Sequence, residues 1–187
     1  SSTKTTGRSG IRRIRRSTAG THKSNVWQIV GYKNSGKTTL VRALIERLRD
    51  QGYTVAVIKH DHHGFEMDHP NTDTWRQRQA GANAVAITSG NRTARIVEQG
   101  SELQELVKSF QGYDYILVEG FKHEHYPKVV LIHDPNGLEL LSLSSVSAVV
   151  VWESMKSSVA SQKPSGVPQF DINDISGISL LLNQQRY

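Results

Sequence analysis

Apolar positions along this chain fall into two alternating rhythms. Short apolar runs at 26–30, 53–59, 113–118, 129–132 and 146–152 read as buried strands, rich in Val, Ile and Leu. Between them lie stretches with helical spacing. Leu40, Val41, Leu44, Ile45 and Leu48 share one face, and Gln51-Gly52 supplies a stop. A short helix is expected over 73–80, capped by Thr72 or Asp73 and ended by Gly81. An amphipathic helix over 101–110 carries Leu103, Leu106, Val107 and Phe110, and a closing helix spans 174–184. Two short strands at 84–88 and 93–97 flank Ser89-Gly90-Asn91-Arg92, the pattern of a hairpin. Residues 154–168 read as a Ser/Pro-rich connection, and no internal repeat is visible. Strand and helix alternate, so the expected fold class is α/β: a mainly parallel sheet with helices on both faces, plus a hairpin-like insertion.

The first strand runs into Gly31-Tyr32-Lys33-Asn34-Ser35-Gly36-Lys37-Thr38, followed by Thr39. This fits G-x-x-x-x-G-K-[ST], the phosphate-binding loop, in the strand-then-helix setting that loop requires. Glycines admit backbone angles that a Cβ forbids, so successive N–H groups can curl round a phosphate at a helix N-terminus. Lys37 is then placed for the β/γ-phosphates and Thr38 for a Mg²⁺ ion. This sets the sheet expectation more narrowly as a P-loop NTPase type.

Composition changes the picture in one respect. The 187 residues are 36% hydrophobic and 21% charged, without cysteine, and fit one domain. The net charge of +6 is unevenly spread. Residues 1–24 hold Lys4, Arg8, Arg12, Arg13, Arg15, Arg16 and Lys23 and no acid, while the rest has 16 basic and 17 acidic side chains. The chain therefore divides into a basic extension (1–24), expected to be disordered, and a near-neutral domain (25–187). The extension opens on Ser, as an added or processed segment does, and its composition also fits a transit peptide. It has no aromatic residue to stack a base, which argues against a nucleic-acid arm. No apolar run approaches a membrane span, and the absence of cysteine is compatible with a cytoplasmic location.

Other residues complete a site at the carboxyl edge of the sheet, where the loops at 31–38, 60–72 and 119–125 can converge. Glu119 ends an apolar strand and precedes Gly120, the placement of a magnesium carboxylate. Asp114 lies near the strand's other end. Asp61 and Asp73 are alternative metal or water-positioning groups, with Asp73 equally suited to a helix start. His60, His62 and His63, with His69, His123 and His125, suggest either phosphate donors or a metal port. Lys59, Arg76, Arg78, Lys122 and Lys128 could bind a second anion or face solvent. No Asn/Thr-Lys-x-Asp guanine motif follows the strand at 146–152, where Glu153 is the nearest acceptor, so the base choice stays open with a lean to GTP.

Four blocks in order resemble one family: 30–40, Ile58-Lys59-His60-Asp61-His62-His63, Asp73…Arg76…Arg78…Ala80-Gly81-Ala82, and Leu117-Val118-Glu119-Gly120-Phe121-Lys122 with Pro127-Lys128-Val129. Together they are similar to the molybdopterin-guanine dinucleotide biosynthesis protein B (MobB) family, over residues 25–155. That resemblance implies a cytoplasmic GTP-binding protein with slow hydrolysis, acting as a homodimer. It implies a MobA-type guanylyltransferase as partner, which attaches GMP to molybdopterin, and contact with molybdopterin itself. It places the dimer and a cofactor surface near 60–72 and 84–97. Within it, Gly31 to Thr39 hold the nucleotide, Thr38, Asp61 and Glu119 the magnesium, and Lys37, Asp61 and Glu119 serve the reaction. Two other P-loop readings compete: a nickel-handling GTPase using the histidine loop, and a small-molecule kinase with an arginine lid drawn from Arg76, Arg78, Arg92 and Arg95.

Overall fold

The computed structural model describes residues 23–185; the expectations for the basic extension lie outside the described residues, apart from its last two. Of those, Ser24 is buried, its hydroxyl donating to the Phe110 carbonyl at 3.4 Å.

Six parallel strands form the central sheet, in the order β2 (Val55–Lys59), β5 (Tyr115–Glu119), β1 (Asn25–Val30), β6 (Lys128–Ile132), β7 (Val146–Val151) and β8 (Gln169–Asp171). β5 and β6 are buried at every position, as strands covered on both faces must be. On one face Trp27, Ile29, Leu117 and Val150 pack against α1 (Lys37–Asp50) and α5 (Ile175–Gln184) through Leu44, Leu48, Ile178 and Leu182. On the other, Ile116 and Val118 meet Leu103 and Val107 of α3 (Leu103–Ser109). Val130 and Val151 meet Leu140, from a 3₁₀ turn over Pro135–Ser142, and Val159 of α4 (Lys156–Gln162).

The stretch 154–168 is more ordered than its composition predicts. It holds α4 after a 3₁₀ turn over Glu153–Met155, and leads into the short edge strand β8. Met155 and Val159 are its buried anchors, too few among Ser, Lys and Gln to make a periodic signal. The 3₁₀ turn at 135–142 was likewise unpredicted; Asp134 accepts from Asn136 N–H and Pro135 starts the turn.

β3 (Ala84–Thr88) and β4 (Thr93–Val97) form a separate antiparallel pair beside α2 (Asp73–Gln79). The pair leaves Ile87 61% and Val97 49% exposed, while Phe65 and Met67 on the preceding loop are more exposed still. Arg78 of α2 holds that loop to the hairpin. Its guanidinium lies 2.6 Å from Glu66, 3.1 Å from Glu98 and 3.7 Å from Asp68. Hydrogen bonds from the Asp68 amide and then Arg78 hold the Glu66 carboxyl below its ordinary range. Arg78 is thereby committed to structure, not to an incoming anion. Replacing it with Met leaves three carboxylates facing one another; cleavage within 60–72 by a dilute protease should then run roughly tenfold faster.

Candidate nucleotide site

At the carboxyl edge of the sheet, between the end of β1 and the start of α1, the chain makes a tight loop. Gly31 is sterically required: a Cβ there would lie 2.6 Å from Ser35 Oγ and 3.2 Å from Leu131 Cβ. Gly36 takes φ +89° directly before the helix, and Asn34 is also left-handed at φ +64°. Reversals of this kind turn successive amides inward. Helix α1 then starts at Lys37 with no side-chain cap, so its first-turn N–H groups have no partner within the helix. Ser35 Oγ is buried without a hydrogen-bond partner. Directly after β7, Trp152 Nε1 donates to the Ser35 carbonyl at 2.8 Å, and its ring would stand 3.5 Å from a Cβ on Gly36. The loop is braced from behind and open in front.

A cleft of about 580 Å³ fronts it, lined by Gly31, Tyr32, Lys33, Asn34, Gly36, Lys37, Thr38 and Thr39, with Lys59, His62 and Glu119 opposite. Lys37 folds back so that Nζ donates to the Gly31 carbonyl at 3.2 Å, placing the ammonium over the loop. Burial pushes its pKa down, Glu119 opposes that, and Lys59 adds to it. Glu119 is 8% exposed at the end of β5, wedged between β1 and β2, with Lys59 Nζ 4.0 Å from its carboxylate. The cleft thus joins unpaired amides, three lysines, threonine hydroxyls and one carboxylate. Amides and ammonium suit a polyphosphate, and the Thr38 and Glu119 oxygens suit a hard divalent cation.

The structure does not bring every expected residue here. Asp61 is exposed, its carboxylate accepting from the His63 N–H at 2.8 Å, and it does not line the cleft. Asp73 sits in the first turn of α2, and Asp114 is taken by the Thr54 N–H and hydroxyl. Lys128 is fully buried, its ammonium donating to the carbonyls of Glu124 and Tyr126, and burial lowers its pKa. It supports the loop from inside, where a surface cation was one expectation. None of Arg76, Arg78, Arg92 and Arg95 lines the cleft, so the arginine lid of the kinase reading is not assembled. His60 and His62 do face each other, with ring centroids 4.4 Å apart, but among the described residues no three His, Asp or Glu side chains form a metal-holding group. Glu153, the nearest candidate for reading a guanine, is paired with Lys156 at 2.5 Å.

Sequence reasoning missed Gln28. It lies within β1, is fully buried, and bonds three backbone groups of the loop after Glu119: Nε2 to the Gly120 and Phe121 carbonyls at 3.1 and 2.7 Å, and Oε1 from the Tyr126 N–H at 3.0 Å. The one signal was a large polar residue inside an otherwise apolar run.

Known proteins resemble this chain in sequence and in fold. The molybdopterin-guanine dinucleotide biosynthesis adapter protein of Escherichia coli is 36% identical over 157 residues, covering 79% of this chain and 85% of the relative. The adapter protein of Haemophilus influenzae is 40% identical over 107 residues, 55% of this chain and 60% of the relative. The crystal structure of Bacillus subtilis MobB superimposes with a TM-score of 0.70 at 28% identity, covering 87% of this chain and 98% of that one. The family profile described as molybdopterin guanine dinucleotide synthesis protein B matches residues 26–152. With that profile spanning most of the described domain and taking in the P-loop and the Glu119 strand, the chain belongs to the MobB family.

Proposed function

We propose that this protein binds GTP with Mg²⁺ and acts as an adapter for a MobA-type guanylyltransferase, which joins GMP to molybdopterin. The carrying observation is the Lys37 ammonium, held over the amides of 31–38 and facing Glu119 across one cleft. Those amides and Lys37 take the β/γ-phosphates, while Thr38 and Glu119 hold the ion, which supplies charge neutralisation when bound. Glu119 is the better-placed carboxylate; Asp61 reaches the site only if its loop turns inward, and its contribution is to orient water. Among the described residues no arginine lines the cleft, and lacking one forfeits ~10³–10⁵ in rate, consistent with slow hydrolysis serving as a timer.

The protein works as a homodimer in the cytoplasm. The exposed apolar side chains of the hairpin and of the loop before it support pairing there, since a two-stranded ribbon is marginal alone. Reconstitution tests the function. Adding this chain to the transferase, GTP and molybdopterin should raise the yield of guanine dinucleotide, and the Lys37→Ala variant should not. Equal yields with the two proteins would count against the adapter role.

Because burial lowers the Lys37 pKa, nucleotide affinity should be full in mildly acidic to neutral solution. It should then fall as pH rises through that lowered value, ahead of the ordinary lysine range. Calorimetric titrations across pH, compared with Lys59→Met as a control for the neighbouring ammonium, check this.

A further inference from the structure

The segment after β7 carries no guanine motif, but it reaches the phosphate loop from outside the cleft. We propose that Trp152 is a positioning residue for polyphosphate binding. Its indole N–H holds the Ser35 carbonyl away from the cleft, and so keeps the Gly36 N–H turned into it. The inference rests on the nucleotide reading above, since it adds a residue to the same site.

Three observations carry it. The first is the tether itself. Trp152 Nε1 donates to the Ser35 carbonyl at 2.8 Å, bridging 117 residues of sequence. Trp152 does not line the phosphate cleft, whereas Gly36 does. In a planar trans peptide the C=O and the following N–H point in opposite directions. A Ser35 carbonyl bonded on the outer side therefore sends the Gly36 N–H to the inner side, where phosphate would lie. Among the described residues nothing accepts from that N–H, which leaves it for a ligand.

Second, nothing else fixes this peptide. The Ser35 N–H donates to the Tyr32 carbonyl at 3.1 Å, which orients the peptide before it. The Gly36 carbonyl accepts from the Leu40 N–H at 3.0 Å, which orients the peptide after it. Between them, the 35–36 peptide is held among the described residues by Trp152 alone. Gly36 sits at φ +89° with no Cβ to restrict rotation, so that peptide can turn over at little cost once released.

Third, Trp152 is itself anchored. Its backbone N–H donates to the Ile132 carbonyl of β6 at 3.2 Å, and its carbonyl accepts from the Met155 N–H at 2.9 Å. The His133 ring meets the indole edge to face, with centres 4.3 Å apart. Ile172, which follows β8, packs beside it and would stand 3.6 Å from a Cβ on Gly36. An indole locked in this way passes the rigidity of the sheet to a loop that has little of its own.

The test compares Trp152→Phe, which keeps a ring and lacks the donor, with Ile172→Ala, which thins the packing and leaves the donor. Calorimetry with the full chain follows two ligands, each with Mg²⁺: a non-hydrolysable GTP analogue, and tripolyphosphate, which has no base. Without the tether the 35–36 peptide spends part of its time turned away, and affinity falls with the fraction still competent. Trp152→Phe should bind both ligands about fivefold more weakly, and Ile172→Ala should stay within about twofold of the native protein. A second reading needs no variant. The Trp152 indole N–H signal in the native protein, assigned through its contact with the His133 ring, should exchange with solvent at least roughly tenfold more slowly than a free indole. It should also shift when tripolyphosphate is added. Unchanged affinity in a folded Trp152→Phe protein overturns the inference, as does an equal loss in Ile172→Ala or free exchange of the indole. A loss for the GTP analogue alone would make Trp152 a contact for the base and also overturns it. A native protein that binds neither ligand removes the nucleotide reading, and this inference with it.

Discussion

Lys37→Ala should weaken binding of a magnesium–GTP complex by about 3 kcal/mol, roughly a hundredfold in Kd. The ammonium is already in place before any ligand arrives, bonded to the Gly31 carbonyl and partly shielded from water. A pre-placed charge spends little entropy on docking, so most of its attraction for phosphate appears as affinity. Lys37→Arg should recover only part of the loss, because a planar guanidinium cannot follow the same path back over the loop. The protein should stay folded: Lys37 is half-buried at the first position of α1, and the helix is anchored further along by Leu40, Val41, Leu44 and Leu48. Isothermal titration with matched melting curves separates the two effects. An unchanged Kd in a folded variant would remove Lys37 from the site.

The second large effect is expected at Glu119. Glu119→Gln takes away the one carboxylate lining the cleft and leaves Lys37 and Lys59 unopposed. Two consequences of opposite sign follow. Without magnesium, GTP should bind more tightly, since the triphosphate meets the lysine ammonium groups and no like charge. The gain in affinity that magnesium brings should shrink, on the order of a hundredfold, because the ion loses its protein carboxylate. Slow hydrolysis should fall with it. Binding isotherms with and without Mg²⁺ read both changes from one variant. The same substitution at Asp61 should move neither, given its exposed position outside the cleft lining.

The sheet and its nucleotide loop were legible because they rest on local rules. Unbroken apolar runs become strands buried on both faces, and the spacing of Gly31, Gly36, Lys37 and Thr38 permits few backbone paths. Elements held by one or two distant contacts were not legible. The helix α4 depends on Met155 and Val159, and β8 spans only Gln169–Asp171. Gln28 and Lys128 show the deeper reason. Their partners are backbone carbonyls of an irregular loop, about 92 residues away for Gln28, and backbone has no sequence signature. Arg78 was left open between an anion and solvent, because the carboxylates that claim it, Glu66 and Glu98, lie 12 and 20 residues away in sequence. Asp61 was chosen by its place after a strand, a rule that fixes where a backbone goes and leaves the side chain free to cap its own turn.

The resemblance to the MobB family was also legible in four short blocks, three of which the fold brings to one edge of the sheet. The fourth, around Asp73 to Ala82, forms α2 and holds the exposed hairpin. That block lies outside the lining of the phosphate cleft.

The central claim is that residues 31–38 grip a nucleoside triphosphate. A crystal structure of the chain with Mg²⁺ and a non-hydrolysable GTP analogue addresses it most directly. The phosphates should lie against the amides of the loop, with Lys37 Nζ moved from the Gly31 carbonyl onto the β/γ-oxygens and the ion beside Thr38 and Glu119. A nucleotide bound elsewhere, or an empty loop at saturating concentration, would contradict it.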